Sequence, residues 1–448
     1  MPKRLIVVLG IVVVVVIVVA LVVTQTGDEA AVEDEEVTIE YVLWDASQLP
    51  AYEEVADAFM EEHPEITIEI NQLGWGDYWD DLTRRLATGD GPDVWTNHVA
   101  YFLEFVNRDQ MMDIEERVQN SDLVDLDAYM EGLADLFVVN GARYGLPKDW
   151  DTNAIVYNRS HLEEAGVSEE EIQEMTWNPD DGGTFEEILA RLTIDADGNN
   201  ALDDGFDADN IERHAFAPDY DGMGAWGRLT FSSLAVSTGW TYHNDDGTEF
   251  YFDDDRFIST IEWFRRMANE DRYMTSFEET DSVPEMLASE QVSMTSDGSW
   301  MMGLHWQNLG DDIGFAPQPR GPEGRRVMFN GLADAINAET EHPDEAWLWV
   351  EFLGSVEAQE MVAAHGVVFP AVASATEITL DVHEERGLDA TAFTDPAFDP
   401  EATFLFPLTD QASEINSIMQ STFDQVFLEQ VDTEEGLTSA NQKINALF

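Results

Sequence analysis

The sequence predicts an α/β fold in which a parallel β-sheet is covered by helices. Short segments that alternate between apolar and polar residues are separated by segments of about 12 residues with the apolar spacing of a helix. Proline and glycine stand at the segment boundaries, as expected where elements end. The 448 residues are 44% hydrophobic and 11% aromatic, which is enough to bury a large core. Strands that alternate with helices of this length are expected to run in parallel.

The first elements after residue 36 are a strand, a helix and a second strand. Val37–Leu43 places alternate apolar residues on one face. Pro50 opens a helix with one apolar face, and Pro64 closes it. The following predicted elements are strand Ile66–Ile70, helix Asp77–Thr88 ending at Gly89, and a third strand that begins with Pro92-Asp93-Val94-Trp95.

A pocket is predicted beyond the carboxyl ends of these strands, where ligands of open α/β sheets bind. The residues at those ends are Trp44-Asp45, Gly74-Trp75 and Asn97-His98. Each pair combines a ring or a small residue with a polar group. Ordinary core packing of the tryptophans is the alternative interpretation.

The remainder of the chain continues the alternation of strands and helices. Ala154–Tyr157 is a further strand, and Thr184 with Glu187 predicts a capping box at the start of a helix. Residues between about 193 and 255 are rich in Gly and Asp, so no element boundaries are predicted there. The predicted helices are Ser160–Ala165, Phe185–Leu192, Arg256–Ala268, Val283–Ala288, Asp344–Leu353 and Gln411–Gln430.

The N-terminus predicts a membrane tether. Leu5–Val23 is an unbroken run of apolar residues close to the ~20 needed to span a bilayer, and it is longer than the apolar region of a signal peptide. Lys3 and Arg4 keep the N-terminus inside, so the rest of the chain faces outside. We therefore assign residues 1–24 to an uncleaved anchor and 25–36 to an acidic linker. A cleaved signal peptide and a buried core helix remain alternatives.

The charge is strongly acidic, with 92 Asp+Glu against 21 Lys+Arg and a formal net charge of −71. Repulsion within such a folded chain is screened over about 8 Å at physiological salt but over about 3 Å at 1 M salt. We therefore expect a halophilic protein that works in molar salt. Nucleic acid and anionic lipid headgroups are poor partners for this surface.

No enzyme signature is present. The chain has no Cys, which excludes disulfides, thiol catalysis and Cys-ligated zinc. It also has no Gly-rich phosphate loop, no His-Glu-x-x-His and no Gly-x-Ser-x-Gly. Asp195, Asp197 and Asn199 resemble the start of an EF-hand loop and form a candidate structural calcium site, with a solvated turn as the alternative. No other cofactor is predicted.

Five stretches of the sequence form a recognisable set: WGDYWDDLTRRLATGDGPDVW, RYGLPKDWDTNAIVYNRSHLEEAGV, TFEEILARLT, SDGSWMMG and HPDEAWLWVEFLGSVEAQEMVAAHGVVFP. Together they resemble family 1 of the extracellular solute-binding proteins, the sugar-binding receptors of ABC importers. The resemblance runs from about Val37 to the C-terminus, in an order and spacing that chance does not explain. Many relatives attach to the membrane through a lipidated Cys, which this chain lacks, so tethering depends on the apolar run.

The resemblance implies a two-lobe, type II periplasmic-binding-protein-like fold hinged by crossing strands. The crossings are expected near Leu146–Asp149 and near Phe315–Gln318. Lobe I then comprises residues 37–148 and 320–352, and lobe II comprises 149–319 and 353–448. The implied function is capture of a sugar or oligosaccharide between the lobes, outside the cell membrane, for delivery to ABC permease subunits. A surface-anchored glycoside hydrolase and a receptor for a non-sugar solute are the alternatives.

Sugars combine apolar ring faces with hydroxyl edges, so a site needs flat aromatic rings and polar groups. Asp149 and Trp150 lie at the expected hinge, and Trp300 follows an Asp-Gly-Ser loop that would expose its ring. Core packing is the alternative, most directly for Trp44 and Trp79. The positions that resemble family ligand contacts are aromatic Trp44, Trp79, Tyr101, Trp150, Trp226, Trp240 and Trp300, and polar Asp45, Asn97, Asp149, Asp297 and Asn330.

Overall fold

The computed structural model describes residues 36–220 and 223–448. The predicted anchor at 1–24 and nearly all of the acidic linker lie outside the described residues. Within those two ranges, no helix is long and apolar enough to cross a membrane.

Fourteen strands are found in the described residues. Their bounds are β1 (Val37–Leu43), β2 (Ile66–Gln72), β3 (Val94–His98), β4 (Val138–Val139), β5 (Ala142–Arg143), β6 (Leu146–Asp151), β7 (Asn153–Asn158), β8 (Ile194–Asp195), β9 (Ile211–Ala217), β10 (Val292–Gly298), β11 (Ile313–Ala316), β12 (Val327–Ile336), β13 (Phe369–Pro370) and β14 (Thr403–Leu405).

The same part of the chain contains seventeen helices. Eight of them are predicted from the sequence, and seven of these eight begin and end within two residues of the predicted bounds. The seventeen helices are α1 (Leu49–Glu62), α2 (Trp75–Thr88), α3 (Val99–Asn107), α4 (Glu115–Gln119), α5 (Arg159–Glu164), α6 (Glu169–Gln173), α7 (Gly183–Leu192), α8 (Ser232–Val236), α9 (Asp255–Asn269), α10 (Val283–Ala288), α11 (Met302–Leu309), α12 (Pro343–Leu353), α13 (Val356–His365), α14 (Ala373–Glu385), α15 (Thr391–Ala397), α16 (Ala412–Phe427) and α17 (Thr433–Asn445).

Two sheets form the centres of two α/β lobes, as expected. The first has the order β13-β6-β12-β3-β1-β2, with β14 also paired to β12, and the second has the order β11-β7-β10-β9-β8. The first sheet is mixed rather than parallel: β1 runs parallel to β2 and β3, but β12 runs antiparallel to β3 and β6. The difference arises because β12 returns from the second lobe and enters the first sheet in the opposite direction.

Three connections join the lobes. The first is short, because β6 pairs with β12 up to Asp151 and β7 begins at Asn153 in the second sheet. The second runs from β11 to β12. The third follows β14, since α16 packs Phe423 against Phe231 of the second lobe with ring centroids 5.4 Å apart. The polar residues of the first connection therefore lie where the two lobes meet.

The segment after α12 divides differently from the sequence assignment, which places residues 353–448 in lobe II. Strand β13 pairs with β6, and β14 pairs with β12, so residues up to about 405 extend the first sheet. His365 on α13 also donates a 2.9 Å hydrogen bond from Nε2 to Glu54 on α1. Residues before the third connection also contact the second lobe, since the Phe393 ring of α15 lies 5.3 Å from that of Phe315 on β11.

Candidate functional site

A group of aromatic side chains lies at the carboxyl ends of β1 and β3. Trp44 directly follows β1, and its ring lies 5.5 Å from that of Trp79 on α2. Trp79 in turn lies 4.2 Å from Tyr101 on α3. Trp75, at the start of α2, contacts both tryptophans at 5.1 and 5.4 Å and is 48% exposed. We call Trp44, Trp75, Trp79 and Tyr101 the aromatic platform; Trp75 is its exposed ring, Trp44 and Tyr101 are partly buried, and Trp79 is buried.

Asp45 and Asn97 flank the aromatic platform and are held by local hydrogen bonds. The Asp45 carboxylate accepts from the Ser47 backbone N–H and from Gln48 Nε2, each at 2.9 Å. Asn97 is buried, and its Oδ1 accepts from the His98 backbone N–H at 3.0 Å. His98 caps α3 by accepting from the Ala100 N–H through Nδ1. Burial, and then the charge of Arg228, hold the pKa of His98 well below its usual range, so its ring is neutral.

Polar residues from both sheets meet at the first connection. Arg228, in the loop before α8, forms an ion pair with Asp151, which also accepts from Asn330 Nδ2 at 3.0 Å. Asn153 Nδ2 donates to the backbone carbonyl of Arg228 at 3.0 Å. Asp149 and Asp297 act electrostatically on the same guanidinium. We call this set the hinge cluster: Asp149, Asp151, Asn153, Arg228, Asp297 and Asn330.

Trp300 connects an aromatic ring to the hinge cluster. The Arg228 Cζ atom lies 4.3 Å from the centroid of the partly buried Trp300 ring, which is a cation–π contact. Asp297 precedes this turn, and its Oδ2 accepts from His305 Nε2 at 2.8 Å. The Asp-Gly-Ser segment therefore directs the Trp300 ring towards the connection between the lobes.

The hinge cluster contains polar atoms that are buried without a hydrogen-bond partner. The acceptors are Oδ2 of Asp149, Oδ1 of Asn153 and Oδ1 of Asn330, and Nε of Arg228 is a donor. Nε1 of Trp226, two residues before Arg228, is a further donor. Buried polar groups are hydrogen-bonded in the great majority of cases, so such a concentration indicates a site that a polar ligand completes.

Burial shifts the acid–base properties of this cluster. It raises the pKa of the Asp149 carboxyl to about 7, against the opposing effect of Lys148. It also lowers the pKa of the Arg228 guanidinium to about 9, although the neighbouring carboxylates favour its charged form. The Arg228 side chain is 14% exposed, so it carries its charge at neutral pH with only a small contact to solvent.

Trp150 and Trp240 are not brought together with the other predicted site residues. Adjacent strand residues point to opposite faces, so Trp150 turns away from Asp149 and Asp151 and stacks on Phe369, with ring centroids 4.9 Å apart. Trp240 stacks on Phe257 at 4.4 Å. Both indoles are buried and donate hydrogen bonds within the core.

Trp226 occupies an intermediate position. It is buried, 6.1 Å from Phe406, and Phe406 lies 4.8 Å from His98 beside the aromatic platform. The Trp226 ring and its own unpartnered indole N–H therefore lie at the boundary between the lobes.

The predicted ligand contacts omit Trp75, Asp151 and Arg228. Trp75 is nonetheless among the strand-end residues at which the sequence predicts a pocket, directly after Gly74. Asp151 shares a strand face with Asp149, which period-two spacing reveals. Arg228 lies in a Gly-rich segment without regular structure, and no sequence pattern places it beside the hinge.

The acidic loop at Asp195 is closed on itself. Oδ1 of Asp195 accepts from the backbone N–H groups of Asp197 and Asn199, and Oδ2 accepts from that of Asp207, all at 2.9 Å. Across residues 36–220 and 223–448, no group of three or more His, Asp or Glu side chains is arranged to hold a metal ion. Calcium binding at Asp195, Asp197 and Asn199 stays a prediction.

Two surface pockets lie away from the hinge cluster. One of about 670 Å³ is lined by residues that include Asn244, Asp410 and Phe448, and one of about 270 Å³ lies beside Glu262 and Arg265. The amide of Asn244 and the guanidinium of Arg265 are already engaged in hydrogen bonds within the protein. The hinge cluster is the stronger candidate because its buried polar atoms lack partners.

Comparison with known proteins agrees with this architecture. A binding protein of Brucella abortus is 22% identical over 429 residues, which cover 92% of this chain and 93% of the relative. The arabinooligosaccharide-binding protein of Bacillus subtilis is 22% identical over 69% of this chain and 66% of its own. The structure of an ABC substrate-binding protein from Listeria monocytogenes, in complex with cycloalternan, superposes with a TM-score of 0.79 at 16% identity, covering 92% of this chain and 99% of that one.

The sequence profile of one family spans most of the folded part of the chain. It matches residues 45–360, which contain the hinge cluster and the aromatic platform apart from Trp44. With a match over more than half of its length, and with two lobes that meet at a polar hinge, this chain belongs to the bacterial extracellular solute-binding protein family.

Proposed function

We propose that this protein captures a sugar or oligosaccharide between its two lobes as the substrate-binding component of an ABC importer. The observation that most directly supports this proposal is the set of buried, unpartnered acceptors and donors in the hinge cluster, next to aromatic side chains. A hydroxyl both donates and accepts, so a polyhydroxylated ligand satisfies Asp149 and Asn330 as well as Arg228. Apolar sugar faces suit the aromatic platform. Two relatives named above bind carbohydrates, which supports the same class of ligand.

Binding without chemistry is part of the proposal, since members of this family are binding proteins. The hinge cluster is enclosed in this structure, so ligand entry requires the lobes to move apart about their three connections, and closure returns them. The closed, loaded form then docks on the permease.

Tryptophan fluorescence titrated in molar salt with mono- and oligosaccharides tests the proposal directly, because Trp75 and Trp300 border the site. We expect a saturable change with at least one sugar and recovery of that sugar uncleaved. Failure of every sugar to change the emission would refute sugar binding, and cleavage of the sugar would instead indicate a glycoside hydrolase.

We also propose that residues 1–24 hold the protein at the outer face of the cell membrane. The unbroken apolar run and its basic flank support an uncleaved anchor. Mass spectrometry of the protein from the membrane fraction decides between this anchor and a cleaved signal peptide: the anchored form retains Met1 or Pro2 at its N-terminus.

Adaptation to molar salt is the last part of the proposal. The 92 acidic residues exceed the basic residues more than fourfold, so most carboxylates have no cation to pair with. Screening at high salt relieves this repulsion. A thermal midpoint that does not rise between low and molar salt would contradict the proposal.

A further inference from the structure

The charges around Arg228 are unevenly matched. One guanidinium faces three carboxylates: it pairs with Asp151 and feels the charges of Asp149 and Asp297. Each of these aspartates is at most 7% exposed. Because Asp151 and Asp297 already offset the charge of Arg228, a carboxylate on a ligand would add a further negative group beside this guanidinium.

The other cationic groups near this position are committed elsewhere. Lys148 Nζ acts electrostatically on Asp149 and donates to Thr96 Oγ1 at 3.1 Å. Lys148 and Thr96 belong to a buried network in which Tyr41 donates to Asp334 at 2.7 Å. His305 is bonded to Asp297, and the His98 ring is neutral. None of these groups is available to neutralise an anionic ligand.

The unpartnered atoms of the hinge cluster and its neighbour Trp226 include donors, Nε of Arg228 and Nε1 of Trp226, as well as acceptors. A hydroxyl satisfies both kinds of atom, whereas an ionised carboxylate satisfies the donors alone. Asp149, Asn153 and Asn330 each present an acceptor oxygen without a donor. A hydroxyl or ammonium group donates to such an oxygen, whereas an ionised carboxylate or phosphate has no hydrogen to donate. An anionic substituent at this position would therefore leave buried acceptors unsatisfied and add repulsion.

We propose that the site selects uncharged sugars and rejects sugars that carry a carboxylate or a phosphate. This inference rests on the proposed function and specifies its ligand class. The selection is local: molar salt screens the −71 net charge over about 3 Å but leaves the buried hinge cluster largely unscreened. Discrimination against anionic sugars therefore persists in high salt.

Matched sugar pairs test this inference in the wild-type protein. Isothermal titration in molar salt is carried out with glucose, galactose, maltose and lactose, each paired with the uronate obtained by oxidising a primary hydroxyl to a carboxylate. Glucose 6-phosphate extends the glucose pair. For every neutral sugar that binds, we expect the acidic form of the same sugar to bind at least tenfold more weakly. The ratio of the two affinities should not change when the salt concentration is doubled.

Equal affinity within a pair, or a ratio that disappears on doubling the salt, would overturn the inference and leave sugar binding intact. Binding of neither member of any pair would overturn the proposed function and this inference with it. The two failures are therefore distinguishable.

Two variants test whether the discrimination against acidic sugars arises in the hinge cluster. Asp151→Asn leaves Arg228 without its carboxylate partner, so binding of the acidic sugar is expected to gain at least threefold relative to the neutral one. Asp57→Asn, on the exposed face of α1, makes the same change in net charge far from the hinge cluster and should leave the ratio unchanged. If Asp57→Asn moves the ratio as much as Asp151→Asn does, selection comes from the overall charge and the inference fails. Should Asp151→Asn not fold, the wild-type pairs still decide.

Discussion

Replacing Asp149 with asparagine should stabilise the protein in a pH-dependent way. The Asp149 carboxyl is 2% exposed, and its Oδ2 has no hydrogen-bond partner. Burial raises its pKa from the ordinary 3.8 to about 7. Between these two values the folded protein holds a proton that the unfolded chain has released, so the free energy of unfolding falls as the pH rises through this window. Asparagine has nearly the same shape and does not titrate.

The magnitude follows from the two pKa values. At about 1.4 kcal/mol for each pH unit, the interval between 3.8 and about 7 corresponds to an upper bound of about 4 kcal/mol. The penalty is absent below the unfolded-state pKa and complete above the folded-state pKa. Relative to wild type, Asp149→Asn should therefore gain roughly 2 to 4 kcal/mol at about pH 8 and little or nothing at about pH 4.

Urea denaturation in molar salt, followed by tryptophan fluorescence across this pH range, measures the effect as a difference between variant and wild type. Asp57→Asn is the matched control, because Asp57 is exposed on α1 and its variant should show no such pH dependence. A stability difference that is the same at low and high pH, or a variant less stable than wild type at about pH 8, would refute the burial explanation.

Three further predictions separate binding from stability. Trp75→Ala removes the exposed ring of the aromatic platform, so sugar affinity in a fluorescence or calorimetric titration should fall at least tenfold. The free energy of unfolding should stay within about 0.5 kcal/mol of wild type. A full loss of stability would assign Trp75 to the core. Trp240→Ala should cost about 3 to 5 kcal/mol in urea denaturation, because the ring is buried and stacked on Phe257, and an unchanged midpoint would contradict that packing. Arg228→Met leaves Asp151 buried and unpaired and should lower the free energy of unfolding by about 3 to 5 kcal/mol. Adding Asp151→Asn should recover a large part of this loss. If the loss in the double variant equals the sum of the losses in the two single variants, the ion pair is not the cause.

The local elements could be predicted closely because their signals are local. Strand Val37–Leu43 has the predicted bounds, and Val283–Ala288 matches at both ends. The capping box at Thr184 and Glu187 is wrong, because the helix starts at Gly183 and Thr184 Oγ1 accepts from the Thr176 backbone N–H instead. That bond joins two segments eight residues apart, and a motif of four residues contains no information about it.

The candidate site was predictable only in part. Trp44, Trp79 and Tyr101 meet because each follows a strand of the predicted sheet directly or lies on the helix after it. Trp150 resembles a family contact in sequence but faces the core, and that outcome depends on which side of β6 the neighbouring helices cover.

The sequence by itself determined the α/β elements, the acidic charge and the family resemblance, since each is a property of short segments or of composition. Only the tertiary structure decided that Asp149, Arg228, Asp297 and Asn330, which are far apart in the chain, form one cluster at the hinge. It also decided that the Arg228 guanidinium pairs with Asp151 while Asp297 and Asp149 act on it electrostatically. Hydrogen bonding and charge balance depend on distances between atoms, and those distances are fixed only when the two sheets meet.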